Sequence, residues 1–160
     1  MKPLFTNIVT AVTGSDASIM AAKYAIVMSK LYHCRLTAVY VVDTATIKQL
    51  TLSKIFILEE SSEYEKSLEA NGRRYLSFVE ELAQAKGLKI EKEIRKGAVY
   101  TEILTVADER KADLIVMGGW EKNRGARDII GQSHREIMYN AKCSVLLVKD
   151  PGIDQMYKHM

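Results

Sequence analysis

Short apolar runs alternate with longer stretches in which apolar residues recur every three or four positions. The short runs are residues 5–12, 35–43, 113–118 and 144–150, together with the more polar segment 88–97. The apolar stripes between them run from Ala17 to Leu31, Tyr64 to Leu82, Tyr100 to Ala107 and Ile129 to Met138. The first kind of pattern predicts strands and the second predicts helices. Regular strand–helix alternation predicts one parallel sheet with helices on both faces and right-handed crossovers.

Local signals set several boundaries. Ser15 or Asp16 can supply the oxygen that caps the first helix, and Gly87 is positioned to end the second. Segment 88–97 has charged residues along one face, which predicts a half-exposed strand at the sheet edge. Residues 45–58 fit three structures equally well: a short helix, an extra strand or a mobile loop.

Composition restricts the class of protein. The chain has 160 residues, 48% apolar and 27% charged, with a formal net charge of +3. These values predict one globular domain, which we place at residues 1–150, with a C-terminal tail at 151–160. The mild charge gives no reason to expect nucleic acid as a partner, and it is compatible with a small anionic ligand. No apolar run reaches the roughly 20 residues that a membrane-spanning helix needs.

The N-terminal segment and the cysteines predict a location in the cytoplasm. Polar residues interrupt the first apolar stretch, and no small-residue cleavage pattern follows it, so it is interpreted as a strand rather than a signal peptide. Cys34 and Cys143 have neither metal-site spacing nor the pattern of a disulfide framework.

Three loops are expected to meet at one edge of the predicted sheet. They are Thr13-Gly14-Ser15, Val42-Asp43 and the glycine loop MGGWEKNRGARDIIGQS at 117–133. Ligands of open parallel sheets bind beyond the carboxyl ends of the strands, close to the point where the strand order reverses. The glycine loop is therefore expected to border a ligand site.

Several segments resemble the universal stress protein family, and together they cover nearly the whole chain. NIVTAVTGSDASIMAAKYAIVMSKL resembles its first strand, turn and helix, KADLIVMGG its fourth strand, and GQSHREIMYNAKCSVLLVKD its last helix and strand. The resemblance implies an adenine nucleotide alpha hydrolase-like fold with strand order 3-2-1-4-5. It also implies a homodimer formed through the last strand, and bound ATP or AMP, with Mg²⁺ if the nucleotide is ATP. In that order Cys34 and Cys143 lie three strand spacings apart, roughly 14 Å, which is too far for a disulfide.

The phosphate motif of the nucleotide-binding members, G-x2-G-x9-G-[ST], matches in part. Gly118 and Gly131 occupy the first and third glycine positions, whereas Glu121 and Gln132 replace the second glycine and the hydroxyl residue. Thr13 stands where those members have an aspartate that addresses the nucleoside. By this resemblance the expected nucleotide-binding residues are Thr13, Val41, Met117, Gly118, Gly119, Lys122, Arg124, Gly131, Gln132 and Ser133.

Individual side chains keep alternative interpretations. Lys122, Arg124 and Arg127 can contact phosphate or form a solvated basic loop. Trp120 can stack on a ligand or, more commonly for a large aromatic, serve packing. His134 can reach a phosphate, although a surface position is the more common case, and Asp113 is interpreted as structural.

Three functions are compatible with these residues. The first is a cytoplasmic stress-response or regulatory module that binds an adenine nucleotide in a degenerate site. The second is a dimeric interaction protein of the same fold without nucleotide. The third is an ATP-hydrolysing enzyme, which is disfavoured because no general base or metal-binding carboxylates can be assigned. We therefore expect at most weak ATPase activity.

Overall fold

The computed structural model describes residues 1–119 and 127–160, with the backbone alone at 127–130. The elements in chain order are β1 (Asn7–Val12), α1 (Asp16–Tyr32), β2 (Arg35–Asp43), α2 (Thr44–Leu52), α3 (Leu58–Gln84), β3 (Glu91–Gly97), α4 (Val99–Glu109), β4 (Leu114–Gly118), α5 (Arg127–Asn140), β5 (Ser144–Val148) and α6 (Ile153–Lys158). The five strands form one parallel sheet in the order β3-β2-β1-β4-β5. The predicted fold and strand order are confirmed.

Alternating side chains of the central strands divide the core between the two faces of the sheet. Ile8 and Val12 of β1 join a cluster that includes α1 and α3 residues. Ala11 and, on β4, Met117 join a second cluster that includes α4 and α5 residues. This alternation is the expected consequence of the two-residue period of a strand buried on both faces.

The ambiguous segment after β2 is helical over Thr44–Leu52, so the short-helix alternative is correct. Asp43 explains why this helix begins where it does, because its carboxylate accepts hydrogen bonds from Thr46 N at 3.0 Å and Thr46 Oγ1 at 2.7 Å. Of the two predicted caps of α1, Ser15 and Asp16, the cap is Ser15, whose hydroxyl accepts from Ser18 N at 3.1 Å. Gly87 follows α3 with φ +72°, in agreement with its predicted role as a helix stop.

The C-terminal residues that were set apart as a tail include a helix that packs on the domain. Ile153 and Tyr157 of α6 are buried in the same core cluster as α1. The Tyr157 hydroxyl donates to Leu82 O of α3 at 2.6 Å, and Lys23 of α1 forms an ion pair with Asp154 at 3.0 Å. Two buried apolar residues in a six-residue helix are too short a pattern to be recognised in a sequence.

Asp113 has the structural role predicted for it. Its carboxylate accepts from the backbone N–H of Thr6 at 2.8 Å and from the Thr6 hydroxyl at 2.8 Å. It also accepts from Asn7 N at 3.2 Å. These contacts fasten the start of β1 to the start of β4, at the end of the sheet opposite the carboxyl ends. Both cysteines are free, and their strands are separated by β1 and β4, as expected.

Candidate functional site

A cleft of about 340 Å³ opens at the carboxyl ends of β1, β2 and β4. Five of its apolar lining residues pack in one cluster and form the apolar side of the cleft, namely Ala11, Val99, Ile103, Met117 and Ile137. Ala17 lines it from α1. The other lining residues are mainly polar or glycine, namely Thr13, Gly14, Ser15, Ser18, Asp43, Tyr75, Gly118, Gly119, Ser133 and His134. The cleft lies at the reversal of strand order, where ligands of such sheets are expected.

A hydroxyl network orders the turn between β1 and α1. Thr13 N donates to Ser18 Oγ at 2.8 Å, and Ser18 Oγ lies 3.4 Å from its acceptor, Ala11 O. The hydroxyls of Thr13 and Ser15 are 3.0 Å apart. Thr13 thus supports the turn with a neutral hydroxyl at the position where nucleotide-binding members have a carboxylate.

Gly14 allows Tyr75 of α3 to cover this turn. Gly14 has φ +85°, and a Cβ built there would lie 2.4 Å from Tyr75 Cε2 and Cζ. The tip of the tyrosine ring therefore occupies the space that any other side chain would need. Tyr75 also lies 6.2 Å from the ring centre of Tyr40, which supports it from β2.

Gly118 allows β4 to approach the first turn of α1. A Cβ at Gly118 would lie 2.6 Å from the carbonyl carbon and oxygen of Ala17, which is closer than backbone atoms tolerate. Gly119 donates its N–H to Val148 O at 3.0 Å and so connects the end of β4 to β5. The close approach to Ala17 explains Gly118 by packing, independently of any ligand.

His134 lines the cleft, whereas a surface position was the more common expectation for this histidine. It is half-buried on α5, and its Nε2 is 2.6 Å from Gly118 O. Because a carbonyl oxygen only accepts, the Nε2 atom carries the proton in this contact. Ser133 lines the cleft beside it. The beginning of α5 therefore provides a hydroxyl and an imidazole near the carboxyl end of β4.

The structure brings together half of the expected nucleotide-binding residues. Those that line the cleft are Thr13, Met117, Gly118, Gly119 and Ser133. Val41 is not among the lining residues but packs in the cluster that contains the lining residues Ala11 and Met117.

Residues of the glycine loop divide between the described and undescribed parts of the chain. Gly131 is buried and Gln132 exposed, both within α5, and neither is among the lining residues. Lys122 and Arg124 lie outside the described residues, as do Trp120 and Glu121. The interpretations of these four residues remain predictions.

Tyr75 and Asp43 are among the lining residues that were not predicted to bind a ligand. Tyr75 belongs to a long helix whose apolar stripe gave no indication of which end would meet the cleft. Asp43 did have a signal, because it follows β2 directly and the carboxyl ends of parallel strands share one edge. Within residues 1–119 and 127–160, no group of three His, Cys, Asp or Glu residues could hold a metal ion.

Comparison with known proteins identifies the family. The family model described as the universal stress protein family matches residues 4–149. The chain belongs to the universal stress protein family. A universal stress protein of Methanocaldococcus jannaschii is 35% identical over 148 residues, which are 92% of this chain and 84% of that protein.

Solved structures of universal stress proteins share the fold. The universal stress protein UspA from Lactobacillus plantarum superposes with a TM-score of 0.77 at 24% identity, over 92% of this chain and all of that chain. A universal stress protein from Archaeoglobus fulgidus, solved in complex with dAMP, has a TM-score of 0.62 at 20% identity, over 92% of this chain and all of that one. In the part of our chain that is described, no helix is both long and apolar enough to span a bilayer.

Proposed function

We propose that this protein is a stress-response regulatory module that binds an adenine nucleotide in the cleft at the carboxyl ends of β1, β2 and β4. The observation that carries the proposal is that the cleft combines an apolar cluster with lining residues rich in hydroxyls and glycine. A nucleotide has the same combination, with an apolar base face at one end and an anionic phosphate at the other. The dAMP complex of the Archaeoglobus fulgidus protein supports this choice of ligand class.

The base fits the apolar side. Ile103 and Val99 of α4 and Met117 of β4 line one connected surface there. Flat aromatic ligands are held mainly by burial of such area, while a few polar groups fix their orientation. Val41 does not line the cleft, but it supports this surface because it packs against the cluster that includes Met117.

The phosphate fits the polar part of the lining, near the junction of β4 and α5. Ser133 offers a hydroxyl there, and the first turn of α1 directs the positive end of its dipole toward the same space. Lys122 and Arg124 are proposed to complete the site by charge-assisted contacts, in place of the glycine and hydroxyl that the motif lacks. If the nucleotide is ATP, its Mg²⁺ would be held chiefly by phosphate oxygens and water.

Titration calorimetry tests the proposal. The protein, stripped of ligand, is titrated with ATP, ADP and AMP, and we expect saturable heat with at least one of them. Absence of both heat and a thermal shift at millimolar nucleotide would contradict the proposal and favour the interaction protein without nucleotide.

Two tryptophan variants on α4 locate the site. Val99 lines the cleft, whereas Thr101 is exposed on the same helix and does not line it. Val99→Trp fills the apolar side and should weaken binding by about tenfold or more, whereas Thr101→Trp should leave it nearly unchanged. Equal effects of the two variants would place the ligand elsewhere.

We propose a binding role rather than a catalytic one. Asp43 is the only carboxylate among the described residues that line the cleft, and it already caps α2. A phosphate-release assay with ATP is expected to show at most weak activity. Turnover above background that is lost in the double variant Lys122→Ala and Arg124→Ala would favour an enzyme.

A further inference from the structure

We infer that Asp43 recognises the ribose hydroxyls of the bound nucleotide and replaces the carboxylate that is missing at Thr13. This inference rests on the proposed function, because it specifies how the same cleft selects its nucleotide. It assigns a role to a residue at the end of β2, one strand away from the position where nucleotide-binding relatives carry their aspartate.

Asp43 is in the right place. It is the last residue of β2, which pairs directly with β1, and it lines the same cleft as Thr13 and Tyr75. Thr13 offers only a hydroxyl, so Asp43 supplies the only carboxylate among the described residues that line the cleft. In another class of open parallel sheets, an acidic residue after an early strand accepts hydrogen bonds from ribose hydroxyls. The chemistry is general, because a carboxylate accepts hydrogen bonds and the two hydroxyls of a ribose donate them.

The carboxylate is held in a fixed orientation before any ligand arrives. Oδ1 accepts from Thr46 N at 3.0 Å and Oδ2 accepts from Thr46 Oγ1 at 2.7 Å. Each carboxylate oxygen can accept more than one hydrogen bond, so both keep acceptor capacity for a ligand. The residue is half-buried. Fixing its rotamer in advance reduces the entropy lost on binding.

The same charge determines which way the nucleotide lies. β2 and β4 are separated by β1, so the strands of Asp43 and Gly118 are two spacings apart, roughly 10 Å at about 4.8 Å per spacing. In the register of the sheet, Gly118 is level with Tyr40, three residues before Asp43, so the separation of the two residues is greater than this. A carboxylate repels phosphate, and this repulsion favours the phosphate near β4 and α5 and the sugar near β2. Tyr75, whose ring tip covers Gly14, borders the sugar end. Asp43 therefore both selects the sugar and orients the ligand.

Deoxynucleotides test the inference in the unaltered protein. Calorimetry compares AMP with 2′-deoxy-AMP and 3′-deoxy-AMP. Since a hydrogen bond to a charged acceptor is a strong one, loss of a hydroxyl should weaken binding by about tenfold for at least one analogue. Equal affinity for all three ligands would overturn the inference and leave the proposed function intact. No binding of any of them would overturn both.

Variants of Asp43 identify the residue responsible. Asp43→Asn and Asp43→Ser keep a side chain that caps a helix, so α2 should remain folded. Both should reduce the preference for AMP over the deoxy analogues to about twofold or less, since the charged acceptor is lost. Asp108→Asn is the matched control, because Asp108 is exposed on α4, faces Lys142 at 3.6 Å and does not line the cleft. A preference that survives in both Asp43 variants, or disappears in the control, would overturn the inference.

Discussion

At the scale of single residues, the glycines around the cleft are explained by packing before any ligand is considered. Gly118 lets β4 approach the backbone of α1, and Gly14 leaves room for the ring of Tyr75. A glycine that matches a phosphate motif can therefore be retained for the fold alone. Chemical evidence for a ligand has to come from the side chains around these glycines, such as Asp43, Ser133 and His134.

Gly14→Ala is expected to destabilise the protein. The new methyl group would overlap the Tyr75 ring, and the φ of +85° is unfavourable for a residue with a Cβ. Together these effects should lower the free energy of unfolding by about 1–3 kcal/mol. Urea denaturation followed by circular dichroism measures the change.

Gly152→Ala is the comparison for that prediction, because Gly152 has φ −59°, which alanine adopts readily, and a Cβ there would approach only the flexible Asp150 side chain, at 3.0 Å from Oδ1. Its free energy of unfolding should fall by less than that of Gly14→Ala. The same Gly14→Ala substitution can be made in a Tyr75→Ala variant, which lacks the ring. If Gly14→Ala lowered the free energy of unfolding by as much there as in the unaltered protein, the ring would not be the source of the overlap. Equal stability of Gly14→Ala and the unaltered protein would contradict the packing account altogether.

At this scale, the sequence correctly predicted the placement of those residues whose position is fixed by the end of a strand. Thr13, Met117 and Gly118 follow or end buried strands, so their meeting at one edge is a consequence of parallel topology. Tyr75 could not be predicted, because its place over Gly14 depends on how α3 crosses the sheet. His134 could not be assigned either, since the contact with Gly118 O depends on the angle at which α5 leaves the loop.

At the scale of elements, an ion-pair network joins β3 to α4 beside the edge of the sheet. Glu93 accepts from Arg95 Nη2 at 2.8 Å and from Arg110 Nε at 2.9 Å. Burial alone raises the pKa of the Glu93 carboxyl, but the hydrogen bonds from Arg95 and Arg110 outweigh it and hold the pKa below its ordinary value. The charged residues of this edge strand thus also connect it to its neighbouring helix.

Glu93→Gln is expected to cost stability in a pH-dependent manner. A carboxyl whose pKa is lowered on folding stabilises the protein above its ordinary value of 4.5, and this contribution is lost as pH falls through the lower folded value. At neutral pH the variant should be less stable by about 1 kcal/mol, since the Arg110 side chain is partly exposed. Urea denaturation at neutral and at successively lower pH should show the difference shrinking.

Glu65→Gln provides the comparison, because Glu65 forms a more exposed pair with Lys96 at 3.5 Å. Exposed pairs contribute little, so this variant should differ from the unaltered protein by only a few tenths of a kcal/mol at any pH, as is typical of surface salt bridges. If the loss in free energy of unfolding caused by Glu93→Gln stayed constant down to acid pH, the carboxylate charge would not be its cause.

Long periodic elements were predictable and short ones were not. The stripes of α1, α3 and α4 extend over several turns, so their type was clear from the sequence. The nine residues of α2 fit three alternatives until the cap by Asp43 was visible. Helix α6 is shorter still, and its stability depends on tertiary contacts of Ile153 and Tyr157 rather than on local pattern.

At the scale of the whole molecule, β5 is the sheet edge available for a second copy of the chain. It pairs with β4 on one side only, and Val145, Leu146 and Leu147 are incompletely buried. The opposite edge, β3, carries the charged network described above and is less suited to pairing. Association of two copies through β5 would continue the sheet across a two-fold axis.

We predict a homodimer in solution. Sedimentation equilibrium should give about twice the chain mass of 18.0 kDa, as expected for a closed two-fold pair. The dimer should persist over a wide range of protein concentration. A mass of one chain at every concentration tested would refute dimerisation.

The most direct test of nucleotide binding in the cleft is an NMR titration of isotope-labelled, ligand-stripped protein with AMP. Amide shifts report both whether the ligand binds and where it lies. We expect saturable shifts concentrated at residues that line the cleft, namely Thr13, Gly14, Asp43, Gly118 and Gly119. No shifts, or shifts centred on Arg35 and Lys89 at the opposite end of the sheet, would contradict nucleotide binding in the cleft.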